Sequence, residues 1–122
     1  YSGVPNLVCT FGYINASWTL RADLNAEWVC RLLAHMDQIG ARKVVPRLRP
    51  SDAGMPARPW IDDFSAGYMR RVMHRFPKQG DREPWMNTQN YARDKKMLRF
   101  GEIEDGVLQF GERAAVEAAV QM

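Results

Sequence analysis

Leu20, Leu24, Trp28 and Leu32 recur at every fourth position, and Ala22, Ala26, Val29, Leu33 and Met36 broaden the stripe they make. Residues four apart stack on one face of an α-helix, so this spacing predicts a long amphipathic helix with a wide apolar face. Arg21, Asn25, Glu27 and Arg31 lie off the centre of the stripe. Asn15, Ser17 and Thr19 all suit an N-cap, with Ser17 favoured, and Gly40 suits the left-handed residue that stops a helix. A face this wide needs something to cover it, which few other elements of the chain offer.

Ahead of the helix stands the apolar run Asn6-Leu7-Val8-Cys9-Thr10-Phe11-Gly12-Tyr13, bounded by Pro5. A short continuous apolar run fits a strand buried on both faces, as in a parallel sheet. Such a strand needs neighbours on either side. The rest of the sequence supplies only Val44-Val45 and Val107 to Phe110 as short candidates. The missing sheet, and a first residue that is Tyr rather than Met, predict a segment of a longer protein.

From residue 41 to 64, Pro46, Pro50, Pro56 and Pro59 forbid regular structure and predict an extended arm over a surface. A second helix is expected over residues 65 to 76. Phe64, Tyr68, Met69, Val72, Met73 and Phe76 line one face, Asp62, Asp63 and Ser65 suit its start, and Pro77 stops it. A third is expected over residues 88 to 100, ended by Gly101. The fold class is therefore mainly α with minor β, about three helices, one N-terminal strand and a Pro-rich arm. The organisation is residues 1–40, the arm 41–64, a helical tail 65–110 and a variable terminus 111–122.

The 122 residues make one domain at most. Cys9 and Cys30 lack metal-ligand spacing and read as buried, reduced thiols, in keeping with a cytoplasmic location. No stretch approaches the ~20 apolar residues of a membrane span. The net charge of +3 is modest; Arg70, Arg71, Arg75 and Lys78, and Arg93, Lys95, Lys96 and Arg99, read as solvated faces. A nucleic-acid binder would need a recognisable reading element beside them, and none is present. The sequence has no GxGxxG or Walker loop and no Ser-His-acid or Cys-His arrangement. The acidic residues Asp62, Asp63, Glu102, Glu104 and Asp105 read as caps and turns.

Two separated strings carry more. Pro5-Asn6-Leu7, Gly12-Tyr13, Asn15-Ala16-Ser17-Trp18-Thr19 and Ala22-Asp23-Leu24 form the first. Pro77-Lys78-Gln79-Gly80, Pro84-Trp85, Gln89-Asn90-Tyr91 and Asp94 form the second. Together, in this order, they resemble the C-terminal end of flavin-containing Baeyer–Villiger monooxygenases of the ethionamide-activating group, over about Gly3 to Phe110. The resemblance implies a parent enzyme with FAD and NADPH domains, which uses oxygen to oxidise ketones or sulfur. It places residues 1–40 as the last strand and helix of the parent's FAD domain, with the strand in that domain's sheet.

The family's Gly-rich fingerprints and catalytic arginine match nothing here, so no catalytic residue and no metal ligand is assigned. The resemblance also implies that the strand-to-helix junction meets the pyrimidine end of the flavin, with Asn15, Ala16, Ser17, Trp18 and Thr19 as cofactor-binding residues acting mostly through their backbone. Trp85, Gln89, Asn90 and Tyr91 either line a substrate or NADPH entrance or anchor the tail. The expected partners are the parent's N-terminal FAD and NADPH domains. Alone, the segment is expected to be inactive, to bind no cofactor, and to form a homo-oligomer. The alternative is a standalone protein-interaction module without catalysis.

Overall fold

The computed structural model describes residues 1–61 and 67–111. Helix α1 spans Trp18–Ile39, strand β1 Lys43–Pro46, helix α2 Gly67–Val72, helix α3 Tyr91–Phe100 and strand β2 Leu108–Gly111. Single 3-10 turns occupy Pro50–Asp52 and Met73–Arg75. The chain divides into two compact units, one of Tyr1–Arg49 with the residues from Gln89 onward, the other Pro50–Thr88.

In the first unit α1 begins and ends where its signals stand. Ser17 is the N-cap residue, and Gly40, at φ 70°, closes the helix in the left-handed conformation that a Cβ disfavours. Ala41 N–H then returns to Met36 O at 2.9 Å. Leu32, Met36, Ala41 and Val44 make the buried core, with Trp28, Ile39, Ile103, Leu108 and Phe110 packed on it. β1 and β2 pair antiparallel, Val44 opposite Phe110 and Val45 opposite Gln109, and lay their apolar side chains on the C-terminal half of α1. Burying side chains of this size stabilises by ~1.5–3 kcal/mol each.

α3 packs along α1 and is tied to it by side chains. Arg31 donates to Leu98 O at 2.5 Å and to Gly101 O at 2.6 Å, capping the last turn of α3. Arg99 meets Glu27 through two bonds of 2.7 and 3.0 Å. The expected start of this helix moves from residue 88 to Tyr91, because Asn90 caps it: its Oδ1 accepts Arg93 N–H at 3.1 Å.

Two expectations are corrected. The run Asn6–Tyr13 belongs to neither strand of the described sheet. Only its start is held, by Asn6 N–H to Val44 O at 3.0 Å and by the Asn6 side chain, which spans Arg42 O and Val44 N–H. Beyond it Leu7 and Val8 are exposed, and among the described residues no strand pairs with that run. Cys9 and Cys30 are free and exposed rather than buried. Within the arm, the strand candidate Val44-Val45 is realised in β1, and a 3-10 turn follows at Pro50–Asp52.

The second unit has little regular structure and is held by polar side chains. Asp52, fully buried, accepts Trp85 Nε1–H at 3.0 Å. Arg58 and Gln79 form an antiparallel bridge, and Gln79 Oε1 accepts Asn87 N–H at 3.0 Å. Gly80 N–H donates to Trp85 O at 2.8 Å, closing the Pro77–Trp85 loop. Trp60 packs edge-on against Phe76. The second expected helix is realised as α2 and the following 3-10 turn; its proposed caps Asp62, Asp63 and Ser65 lie outside the described residues.

Candidate functional site

The junction between the apolar run and α1 lies at the surface. Asn15, Ala16, Ser17, Trp18 and Thr19 are all exposed. Ser17 sits at φ −60°, ψ 125° and makes no side-chain cap; its hydroxyl instead pairs with Thr19 Oγ1 at 2.9 Å. The first turn of α1 contains no acidic residue. The start of a long helix thus carries neither a side-chain cap nor an acidic residue, though Leu20 N–H turns back to Ser17 O at 3.2 Å; helix starts of this kind suit anionic or carbonyl-bearing groups.

Below this turn the packing is tight. A Cβ on Gly12 would lie 2.2 Å from the Trp18 ring and 2.4 Å from the Trp18 carbonyl oxygen, so only glycine allows the two to meet. Tyr13 and Asp94 are buried, and the Tyr13 hydroxyl donates to Asp94 Oδ2 at 2.5 Å. Arg21 approaches the same carboxylate, Nε to Oδ2 at 3.8 Å, and its guanidinium carbon lies 5.6 Å from the centre of the Tyr13 ring. Burial first, then the bond to Asp94, pushes the Tyr13 phenol far above its usual range, so it stays protonated. Gln89 Oε1 accepts the Ile14 N–H at 3.0 Å.

The structure therefore brings Asn15 to Thr19 together on one exposed turn. It divides the other candidates. Trp85 is tied to Asp52 in the second unit, whereas Gln89, Asn90 and Tyr91 belong to the first. Asn90 acts as a helix cap. The Tyr13–Asp94–Arg21 cluster is not legible as a cluster from spacing. Its one signal is an acidic residue at Asp94 among Arg93, Lys95 and Lys96. Arg70, Arg71, Arg75 and Lys78 are exposed, as expected of a solvated face. Among the described residues no group of His, Cys, Asp or Glu is placed to hold a metal ion, and no helix is long and apolar enough to cross a membrane.

Comparison with known proteins decides the family. The chain is 49% identical over 119 residues, 97% of its length, to the FAD-containing monooxygenase EthA of Mycolicibacterium smegmatis. It is 48% identical over 114 residues, 93% of its length, to the FAD-containing monooxygenase EthA of Mycobacterium tuberculosis. The chain belongs to this family of FAD-containing monooxygenases. It spans about a quarter of the relatives' length, 24% and 23% respectively. No family model and no solved structure matches it.

Against that family the site fits one part of a flavin and not the rest. Helix N-terminal donors that no side chain caps suit the carbonyl-bearing ring. No Gly-rich loop in the sequence suits the pyrophosphate.

Proposed function

We propose that this chain is the part of an FAD- and NADPH-dependent monooxygenase that presents the start of α1 to the flavin ring and packs the C-terminal segment behind it. The observation that carries this reading is the exposed turn Asn15–Thr19, which enters α1 with neither a side-chain cap nor an acidic first turn. When bound, the flavin supplies the oxygen chemistry, Baeyer–Villiger oxidation of a ketone or oxygenation of a sulfur. The residues of this chain bind and orient. Backbone N–H groups of the turn donate to the ring's pyrimidine end, and the dipole of α1 favours negative charge there. Trp18 rests on Gly12, and Arg21, Tyr13 and Asp94 fix the turn from beneath.

Without the phosphate-binding part of the parent, the chain holds only an edge of the cofactor. Titration of the purified chain with FAD, followed by flavin fluorescence beside the full-length protein, tests this. We expect no stoichiometric binding by the chain, and about ten-fold weaker FAD binding by full-length Ser17→Pro, in which one backbone donor is lost. Ser17 already has a φ that proline adopts, so the substitution removes the N–H with little strain. Unchanged FAD affinity in that variant overturns the reading. Stoichiometric binding by the isolated chain overturns the division of labour and favours a standalone role.

A further inference from the structure

The two residues that lead into the Asn15–Thr19 turn are each held by a side chain from the start of α3 or just before it. Gln89 Oε1 accepts the Ile14 N–H at 3.0 Å, and Asp94 Oδ2 accepts the Tyr13 hydroxyl at 2.5 Å. Tyr91 adds an edge-on contact, its ring centroid 6.4 Å from that of Tyr13. Downstream, the turn ends in α1, which Arg31 and Glu27 tie to the far end of α3. The start of α3 and the residue before it thus hold the entry to the turn, and the far end of α3 holds α1 further along, at Glu27 and Arg31.

Gln89 differs from the other contacts in what it holds. Asp94 and Tyr91 grip a side chain, which can rotate about its own bonds. Gln89 grips the peptide between Tyr13 and Ile14, and a peptide plane transmits its orientation directly to the next one. Its carboxamide nitrogen is buried with no hydrogen-bond partner, so the acceptor oxygen carries the interaction. Resting on the flavin reading above, we propose that Gln89 is a positioning residue for the cofactor: by fixing the Ile14 N–H it aims the following backbone donors at the flavin ring. The C-terminal segment then governs flavin affinity without touching the flavin.

The test uses the full-length protein, stripped of FAD and titrated with FAD alone. Gln89→Met keeps the length of the side chain and removes the acceptor; Gln89→Glu keeps the acceptor and replaces the unpartnered nitrogen by a second oxygen, with a carboxylate's charge. We expect Gln89→Met to weaken FAD binding about five-fold and to shift the visible absorption bands of the bound flavin, and Gln89→Glu to restore both. Tyr13→Phe, which loses the bond to Asp94 and keeps the ring, serves as a second variant and is expected to weaken FAD binding as well. Parental affinity and spectrum in Gln89→Met overturn the proposal, as does equal loss in the Met and Glu variants. Ser17→Pro separates the two levels. If it weakens FAD binding while Gln89→Met does not, only the positioning role falls; if it has no effect, the flavin reading itself falls and this role with it.

Discussion

Tyr13 carries a phenol that is buried and bonded to a buried carboxylate, which makes its protonation a matter of stability. Folding raises its pKa above the ~10 of an unfolded tyrosine, with burial the larger cause and Asp94 the second. Below pH ~10 both states hold the proton and this contribution is constant. Above it the unfolded state releases the proton first, so stability falls as pH rises. Urea unfolding of the chain at pH 7 to 11 is therefore expected to show a loss above pH ~10 that is shallower in Tyr13→Phe. At pH 7 the same variant is expected to cost ~1–2 kcal/mol, since Asp94 loses a donor in a buried place. Identical alkaline slopes in the two proteins would show that this phenol is not the group responsible. At this scale the sequence reveals residues that act through the backbone nearby, such as Ser17 before α1 and Gly40 after it. Asp94 escapes notice because its partners Tyr13 and Arg21 lie far off in sequence. Cys9 and Cys30, whose apolar neighbours mark them as buried in the sequence, are exposed, because an apolar neighbourhood along the chain does not fix which way a side chain faces.

Among the elements, α3 is short, and it depends on the guanidinium of Arg31 for the carbonyls of its last turn. Gly101, in extended conformation, does not supply the usual left-handed stop. Replacing Arg31 by Met removes both donors and keeps much of the stem. The expected cost is ~2 kcal/mol, together with faster hydrogen exchange at the Gly101 amide, which bonds to Met97 O. Arg31→Lys is expected to recover less than half of it, because an ammonium does not fork to two carbonyls. Unchanged exchange at Gly101 would mean that α3 ends without help from α1. The legibility of the elements follows the same division. α1 could be read to within a residue because its periodicity and both caps are local. The run Asn6–Tyr13 could be read as apolar but not as a strand, since a strand is defined by its neighbour and none is present. The second unit resists sequence reading because it is built from single bonds such as Trp85 to Asp52 and Asn87 to Gln79, which leave no period.

At the scale of the whole molecule, the exposed apolar side chains outnumber what a stable surface of this size usually shows. Leu7 is 52% exposed, Trp18 48%, Leu33 55% and Phe100 76%. The isolated chain is therefore expected to self-associate, with a sedimentation coefficient that rises with concentration; a constant monomer value from micromolar upward would contradict this. The site was legible only as far as the resemblance reached. Spacing marks Ser17 as a cap, but not as an unfilled one. One further consequence lies in the order of the chain. The second unit, Pro50–Thr88, is nested within the first. The contacts that fix the junction and α1 join residues 67 to 81 positions apart. A growing polypeptide thus makes α1 and the whole of residues 50 to 88 before the segment that holds the junction and α1 exists. Closing so long a loop is entropically costly, and its reward comes only once residues 89 to 101 have been made. Whatever the turn at Asn15–Thr19 binds, it acquires its final shape only after Gln89 and Asp94, 75 and 81 positions beyond the residues they hold, have been made.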